Sequence, residues 1–397
     1  MTFIYDIINL QFVLVISFLT VAYCLRSEPL KVLLLFGHIL AIFLLNDVLF
    51  SPSYFGDQLR QVDATKIIRS GWFHLEPVIS KHGTKLGYSS LIYAVFPFPF
   101  INSVQSMAMF NFLIFLIIFI FMKKNNMCSN SVDYFYLIFP SLLLYSSLAL
   151  RDTLVLLFLM IGIYVILMRG KYLLGLLLSS PLIIFKFQNY LMVIAALSLF
   201  FYIRRAGTWR YVILGTFVVA ASFIPEKVPL VADLYENLER WRFALFADQY
   251  EYNWALIDEM REIYVPLGTG FTLLFQIIKN FVYMLLKPLP WECDNPFQFI
   301  QSAENLIVVG LIIWINTKKT FNEKIFQKKL FLNCFLFVSM TINGLVVFNF
   351  GSAVRYKFPF IVVYFVFFLY LLKSDRLFFN QAKSVWSSET SFKPAIN

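Results

Sequence analysis

The chain has 397 residues, of which 60% are hydrophobic, 19% aromatic and only 14% charged, giving a mean hydropathy of +0.74. A soluble surface needs roughly a quarter of its residues charged, so this composition excludes a soluble globular domain and places the chain in a bilayer. Four scattered cysteines without CxxC spacing and three dispersed histidines offer no zinc or haem site, and the net charge of +10 points to nucleic acid only until its distribution is followed.

Crossing a hydrocarbon core of about 30 Å takes about 20 apolar residues, somewhat fewer where neighbouring helices shelter them. Spans are expected near 5–24, 32–50, 103–122, 132–149, 153–168, 172–185, 189–203, 211–224, 303–317, 330–349 and 358–372. The fold class is therefore all-α, a polytopic membrane protein of about eleven helices plus interfacial ones. The first run has no basic stretch before it and no small-residue cleavage site before Arg26, so it reads as a retained helix. Residues 1–373 form one transmembrane domain with large outer loops at 51–102 and 225–302, and 374–397 form a loose cytoplasmic tail.

Orientation follows from Lys and Arg, which stay on the cytoplasmic side. Alternating spans put Arg26, Lys31, Lys123, Lys124, Arg169, Lys171, Arg204, Arg205, Arg210 and the Lys318–Lys329 cluster on that face. The positive excess is mostly a topology signal on short turns, which removes the case for nucleic acid. The layout requires that residues 267–287 do not cross; Lys279 within the run and the PLPW that follows favour a helix in the outer interface or dipping back. Residues 88–99 are too short to span and read as an interfacial helix. Val231, Leu234, Leu238, Trp241 and Leu245 recur at helical spacing, predicting an amphipathic helix whose acidic residues form a solvated face.

Candidate functional residues cluster in the outer segments. The Tyr54–Tyr88 loop carries two of the three histidines and the sequence FGDQ. Asp57, next to Gly56, is placed to act as general base on a sugar hydroxyl, or else to cap the helix that follows. Asp63 is secondary, and His82 and His74 either position substrate or are ordinary loop histidines. Arg151 and Asp152 interrupt apolar sequence from Phe135 to Met168. Either they pair locally at a helical turn, or Arg151 holds an anion and Asp152 orients it. Arg355 and Lys357, in FNFGSAVRYKFPF, either grip a phosphate or anchor to lipid headgroups. Lys186 follows the same logic, and Glu304 starts a span as a carboxylate facing the cavity. Trp72, Trp241, Trp254 and Trp291 are candidates for stacking on sugar rings or for the interfacial belt.

GDQ (56–58), GTKLGYSSLIYAVFPF (83–98), PSLLLYSSLALRD (140–152), PLPWECDNPFQFIQSAEN (288–305) and NFGSAVRYKFP (349–359) together resemble the polytopic GT-C-type glycosyltransferase superfamily. They also resemble the O-antigen and capsule repeat-unit polymerases of the Wzy type, whose architecture is similar. The resemblance implies a GT-C-like fold in the bacterial inner membrane with its active face in the periplasm. It implies transfer of a sugar or oligosaccharide from undecaprenyl phosphate or diphosphate to an acceptor hydroxyl. Asp57 would be the base and Arg151, Arg355, Lys357 and Lys186 the phosphate clamp. The expected function is polymerisation of lipid-linked repeat units; the alternatives are a GT-C enzyme adding one sugar and, in a different class, a lipid-linked oligosaccharide flippase. No cofactor is required, although a divalent cation could help neutralise a diphosphate. The expected partners are the polyprenyl-linked substrate, the bilayer and a chain-length regulator.

Overall fold

The computed structural model describes residues 2–25, 28–46, 48–51, 56–96, 100–101, 103–204, 215–216, 229–248, 264–320, 322–347 and 350–390. The expected span at 211–224, apart from residues 215–216, lies outside them, as do Arg26, Arg205, Arg210 and Trp254. Every regular element named among the described residues is a helix, and the one isolated β-bridge joins Asn46 to Phe50.

In chain order the helices are α1 (Thr2–Cys24), α2 (Pro29–Leu45), α3 (Gly56–Ser70), α4 (Glu76–His82), α5 (Thr84–Val95), α6 (Val104–Lys124), α7 (Asn130–Ile138) and α8 (Pro140–Ser146). They continue as α9 (Asp152–Arg169), α10 (Tyr172–Ser179), α11 (Pro181–Arg204), α12 (Pro229–Asp248), α13 (Phe271–Leu286), α14 (Pro296–Asn316), α15 (Glu323–Val346) and α16 (Phe350–Thr390). Seven of these stretches are long and apolar enough to cross a membrane: Ile4–Cys24, Val104–Lys124, Asp152–Arg169, Pro181–Arg204, Pro296–Asn316, Glu323–Val346 and Phe350–Asp375. α2 and α13 are apolar but shorter. The architecture is that of a multi-pass helical membrane protein.

The differences from the expected eleven spans have local causes. The run 132–149 is two short helices, because Pro140 forces Phe139 into an extended conformation (φ −57°, ψ 114°) and ends α7. The run 172–185 stops at Ser179, and α11 begins at Pro181 and includes the run 189–203. α11 leaves helical geometry at Lys186, the start of the expected KFQN corner. The tail read as loose is helical to Thr390, since no Gly or Pro lies between Pro359 and that residue to stop it. α13 has 16 residues and at 1.5 Å per residue falls short of a perpendicular crossing. α5 and α12 lie where interfacial and amphipathic helices are expected.

The chain divides into two compact units, the first made of 1–191, 320–329 and 359–397 and the second of 192–319 and 330–358. One boundary falls at Pro359, whose missing N–H removes the helical donor to the Arg355 carbonyl. In the first unit α6 is the centre: Met107, Phe112, Phe115, Leu116 and Phe119 are fully buried, with α1, α2, α8 and α9 packed around it. Phe115 stacks on His38 at 4.3 Å and on Tyr136 at 4.7 Å between ring centres. α1 instead exposes Phe12, Val15, Phe18 and Leu19, an apolar face suited to lipid.

α9 and α10 touch through small residues. A side-chain carbon at Gly162 would fall 1.8 Å from Ser179 Oγ, and one at Gly175 would fall 2.4 Å from Ile166 Cγ1. Dispersion between backbones at such close approach replaces the hydrophobic drive that lipid cannot supply. In the second unit α13 packs on α14 and crosses α15 at Gly344, where an added carbon would meet the Asn280 carbonyl at 2.4 Å.

Candidate functional site

The sequence LRD ends a non-helical corner between α8 and α9, and buried amides hold its backbone. Asn111, an amide in the apolar stretch of α6 and fully buried, donates from Nδ2 to the carbonyls of Leu148 (2.5 Å) and Leu150 (2.6 Å). Its Oδ1 accepts from the Tyr93 hydroxyl at 2.7 Å, which also lies 3.2 Å from the Leu150 carbonyl. Burial, and next the charge of Asp152, push the Tyr93 phenol far above its usual value, so it works as a neutral donor. The Ala149 N–H donates to Gln58 Oε1 at 2.6 Å. The Leu148 and Leu150 carbonyls and the Ala149 N–H of the corner are thereby bonded by α3, α5 and α6, three elements distant in sequence.

This docking brings the GDQ end of α3 to the corner that carries Arg151 and Asp152. Gln58 is 1% exposed and does the docking, while Asp57 keeps a side chain 50% exposed, 3.8 Å from Arg60. An exposed pair at that distance contributes little to stability. Gln61 holds α3 on α5, with Nε2 2.9 Å from Ser90 Oγ and Oε1 accepting from Ser89 at 3.3 Å.

At the corner itself Asp152 is buried in the first turn of α9, where the helix dipole favours a carboxylate. Lys186 Nζ lies 3.4 Å from its Oδ1, and both side chains are nearly inaccessible. Lys186 stands at the break in α11, where its backbone is extended (φ −159°, ψ 75°). Arg151 is half-buried next to this pair and does not cap α9 through its side chain. Lys186 and Asp152, named separately in the sequence, are thus one buried ion pair.

Asp63 and His82 also meet. Asp63 Oδ2 accepts from Lys81 Nζ and lies against His82 Nε2, each at 2.8 Å. The Lys81 hydrogen bond, then that of His82, hold the Asp63 carboxyl below its ordinary value. His74 is exposed, 3.4 Å from Glu76. Trp72 is 92% exposed, and it and Phe73 adopt left-handed backbone (φ 52° and 66°), a conformation that costs a non-glycine residue about 1 kcal/mol. Trp291 is also exposed; the side chain of Trp241 lies outside the described residues.

In the second unit the expected phosphate ligand Lys357 is 4% exposed and already engaged by this chain. Its ammonium donates to Asn305 Oδ1 at 2.6 Å and to the Met284 carbonyl at 3.3 Å. Glu304 is buried beside it, and Gln301 bridges Glu304 (3.2 Å) and Asn305 (3.0 Å). Asn305 also donates to the Lys287 carbonyl at 2.8 Å, tying α14 to the end of α13. Arg355 is half-buried, two residues before Lys357 on α16.

Sequence reasoning missed Gln58, Tyr93, Asn111 and Asn305, and it missed Arg242. Arg242 is 6% exposed on α12, donating to the Tyr264 hydroxyl (3.2 Å) and to the Leu345 carbonyl, while Tyr264 donates to Glu239 at 2.5 Å. Burial, then the Glu239 hydrogen bond, push the Tyr264 phenol up to about 12. The acidic face read as solvated therefore contains a half-buried carboxylate–phenol pair joined to a buried guanidinium. One signal was legible for Asn111: a single amide in an otherwise apolar run is costly unless it has a job.

Among the described residues no group of three or more His, Cys, Asp or Glu side chains is placed to hold a metal ion. No protein-family model, curated protein or solved structure matches the chain.

Proposed function

We propose that the chain is a membrane glycosyltransferase that polymerises polyprenyl-linked oligosaccharide repeat units, with its site on the periplasmic face of the bacterial inner membrane. One observation carries the reading. The Gln58–Ala149 hydrogen bond ties the loop helix bearing an accessible acid, Asp57, to the corner bearing Arg151 and the Lys186–Asp152 pair. Acid and cations are the two chemical requirements of glycosyl transfer from a lipid phosphate, and they are gathered within one compact unit.

The acceptor hydroxyl oxygen attacks the anomeric carbon as the bond to the undecaprenyl diphosphate oxygen breaks, through an oxocarbenium-like transition state. The hydroxyl proton passes to the Asp57 carboxylate, and the leaving diphosphate keeps the bonding electrons. Arg151, through its planar fork, holds the departing phosphate, with Lys186 adding positive field and Asp152 fixing Lys186 in place. Trp72, presented on strained backbone, gives a flat apolar face of the kind sugars stack on. Arg355, in the second unit, is a phosphate-binding candidate of its own, on a helix that Lys357 and Glu304 support from within.

Deletion of the gene followed by a lipopolysaccharide gel tests the reading. Loss of a polymerase collapses the ladder to core plus one repeat unit. An unchanged ladder refutes it, a ladder with altered rung spacing assigns the chain to single-sugar transfer, and complete loss of O-antigen assigns it to lipid-linked oligosaccharide transport. Asp57→Asn and Arg151→Gln, at wild-type protein level, should each reproduce the deletion phenotype.

A further inference from the structure

Among the described spans α1 is the least enclosed. Of its most apolar stretch 22% is buried inside the protein, against 78% for α6. The buried side is Asn9, Val13, Ser17 and Thr20, which recur at helical spacing and face inward, with α6 the neighbour. The polar side chains of that side each donate within the protein. Asn9 Nδ2 reaches Ser106 Oγ at 2.8 Å, and the Ser17 and Thr20 hydroxyls return to the carbonyls of Val13 and Ile16, both at 2.8 Å.

Gln11 departs from that arrangement. It is exposed, and no described residue bonds its amide. Two residues beyond Asn9, it stands about 200° further round the helix, on the side turned to lipid. The span begins at Ile4, so Gln11 lies about 10 Å into the apolar layer at 1.5 Å per residue. Two methylenes do not carry its amide back to the headgroups as a lysine stem would. An amide facing acyl chains has nothing to bond, which is costly in hydrocarbon.

The residues around Gln11 form a regular array. Ile4, Ile8, Gln11, Val15, Phe18 and Ala22 are all exposed, and the steps between them alternate four and three residues. That is the 3.5-residue repeat of a coiled-coil seam, with β-branched Ile8 and Val15 at one set of positions and Gln11 between Ile4 and Phe18 at the other. Contact with lipid requires neither the repeat nor an amide at its centre. A helix partner uses both, the seam to interlock and the single amide to set register.

We propose that this seam joins two copies of the chain, α1 against α1. Copies inserted in the same orientation pack their first helices in parallel about a two-fold axis along the membrane normal, so equal residues meet. Gln11 then faces Gln11 of the second copy, and each amide, having both a donor and an acceptor, satisfies the other. A different membrane protein would have to bring a matching amide to the same depth, whereas a second copy carries one there already. The pairing is independent of the reaction assigned to the chain.

Single-molecule photobleaching of the full chain, fused to a fluorescent protein and reconstituted in liposomes over a range of protein-to-lipid ratios, tests this. Two-step bleaching is expected at the higher ratios. Gln11→Leu should raise the density needed for half-dimerisation about tenfold, and Gln11→Asn, which keeps the amide, should raise it less. Neither should lower the thermal midpoint, because no contact within the chain is lost. Oxidation should cross-link Val15→Cys into a homodimer above the background of the native cysteines; Leu173→Cys, exposed on α10, should stay at that background. Single-step bleaching at every density, or Gln11→Leu dimerising as well as the unsubstituted chain, overturns the proposal. Cross-linking of Val15→Cys no stronger than that of Leu173→Cys also overturns it and leaves the face to lipid. Cross-linking to a different protein in native membranes, without homodimer, overturns it in favour of a heteromeric partner.

Discussion

Replacing Asp152 by Asn tests the buried corner most directly. Lys186 Nζ lies 3.4 Å from Asp152 Oδ1 with both side chains nearly inaccessible. At an effective dielectric of about 20, two unit charges at that separation attract by about 5 kcal/mol. Part of that attraction only repays the desolvation of both ions, so the pair itself is close to neutral for stability. Removing one partner strands the other, and the expected loss is about 3–5 kcal/mol. Asp152→Asn and Lys186→Met should therefore each lower the thermal midpoint in micelles, followed by tryptophan fluorescence. The double replacement Asp152→Leu with Lys186→Met should recover most of the loss. Glycan polymerisation should stay absent in all three, because the double variant restores packing but not the cation at the corner. A double variant as unstable as either single one would refute the pairing. A double variant that restores the ladder would show that the pair serves only the fold.

Further perturbations probe packing and charge. Gly162→Ala should destabilise by about 1–3 kcal/mol through overpacking of α9 on α10. Ser179→Ala should relieve part of this by removing the oxygen 1.8 Å from the added carbon. Gly37→Ala on α2, with nothing within 4 Å, should be neutral or slightly stabilising. Asp63 has a folded pKa depressed by Lys81 and His82. Its contribution is therefore present above the unfolded carboxyl value of about 4 and is lost as pH falls through the lower folded value. Asp63→Asn should lower stability slightly above about pH 4 and flatten the acid limb of the stability–pH curve below it. With a side chain 45% exposed, the effect is small and shrinks further in salt.

The helical, membrane-spanning class was legible because apolar runs near 20 residues have one stable solution in lipid, where every backbone group must bond within its own helix. The runs at 103–122, 153–168 and 303–317 appear as α6, α9 and α14 nearly as read. Where proline intervened, at Pro140 and Pro181, hydropathy alone overran the break. The charged residues of the candidate site were visible as costly exceptions in apolar sequence. Gln58 and Asn305 were not, because an uncharged amide in a loop or at a helix start has no anomaly to announce it.

By itself, then, the sequence determined the solvent of this protein, the class of its elements and the short roster of ionisable groups that lipid would not tolerate without purpose. Composition and run length suffice for that, since both are set by transfer free energy along the chain. Tertiary structure alone decided which of those groups meet. Lys186 pairs with Asp152 across 34 residues, Gln58 docks on Ala149 across 91, and Lys31 reaches Asp133 across 102. Each of these contacts depends on helix order, crossing and rotation, and no local pattern in the chain encodes them.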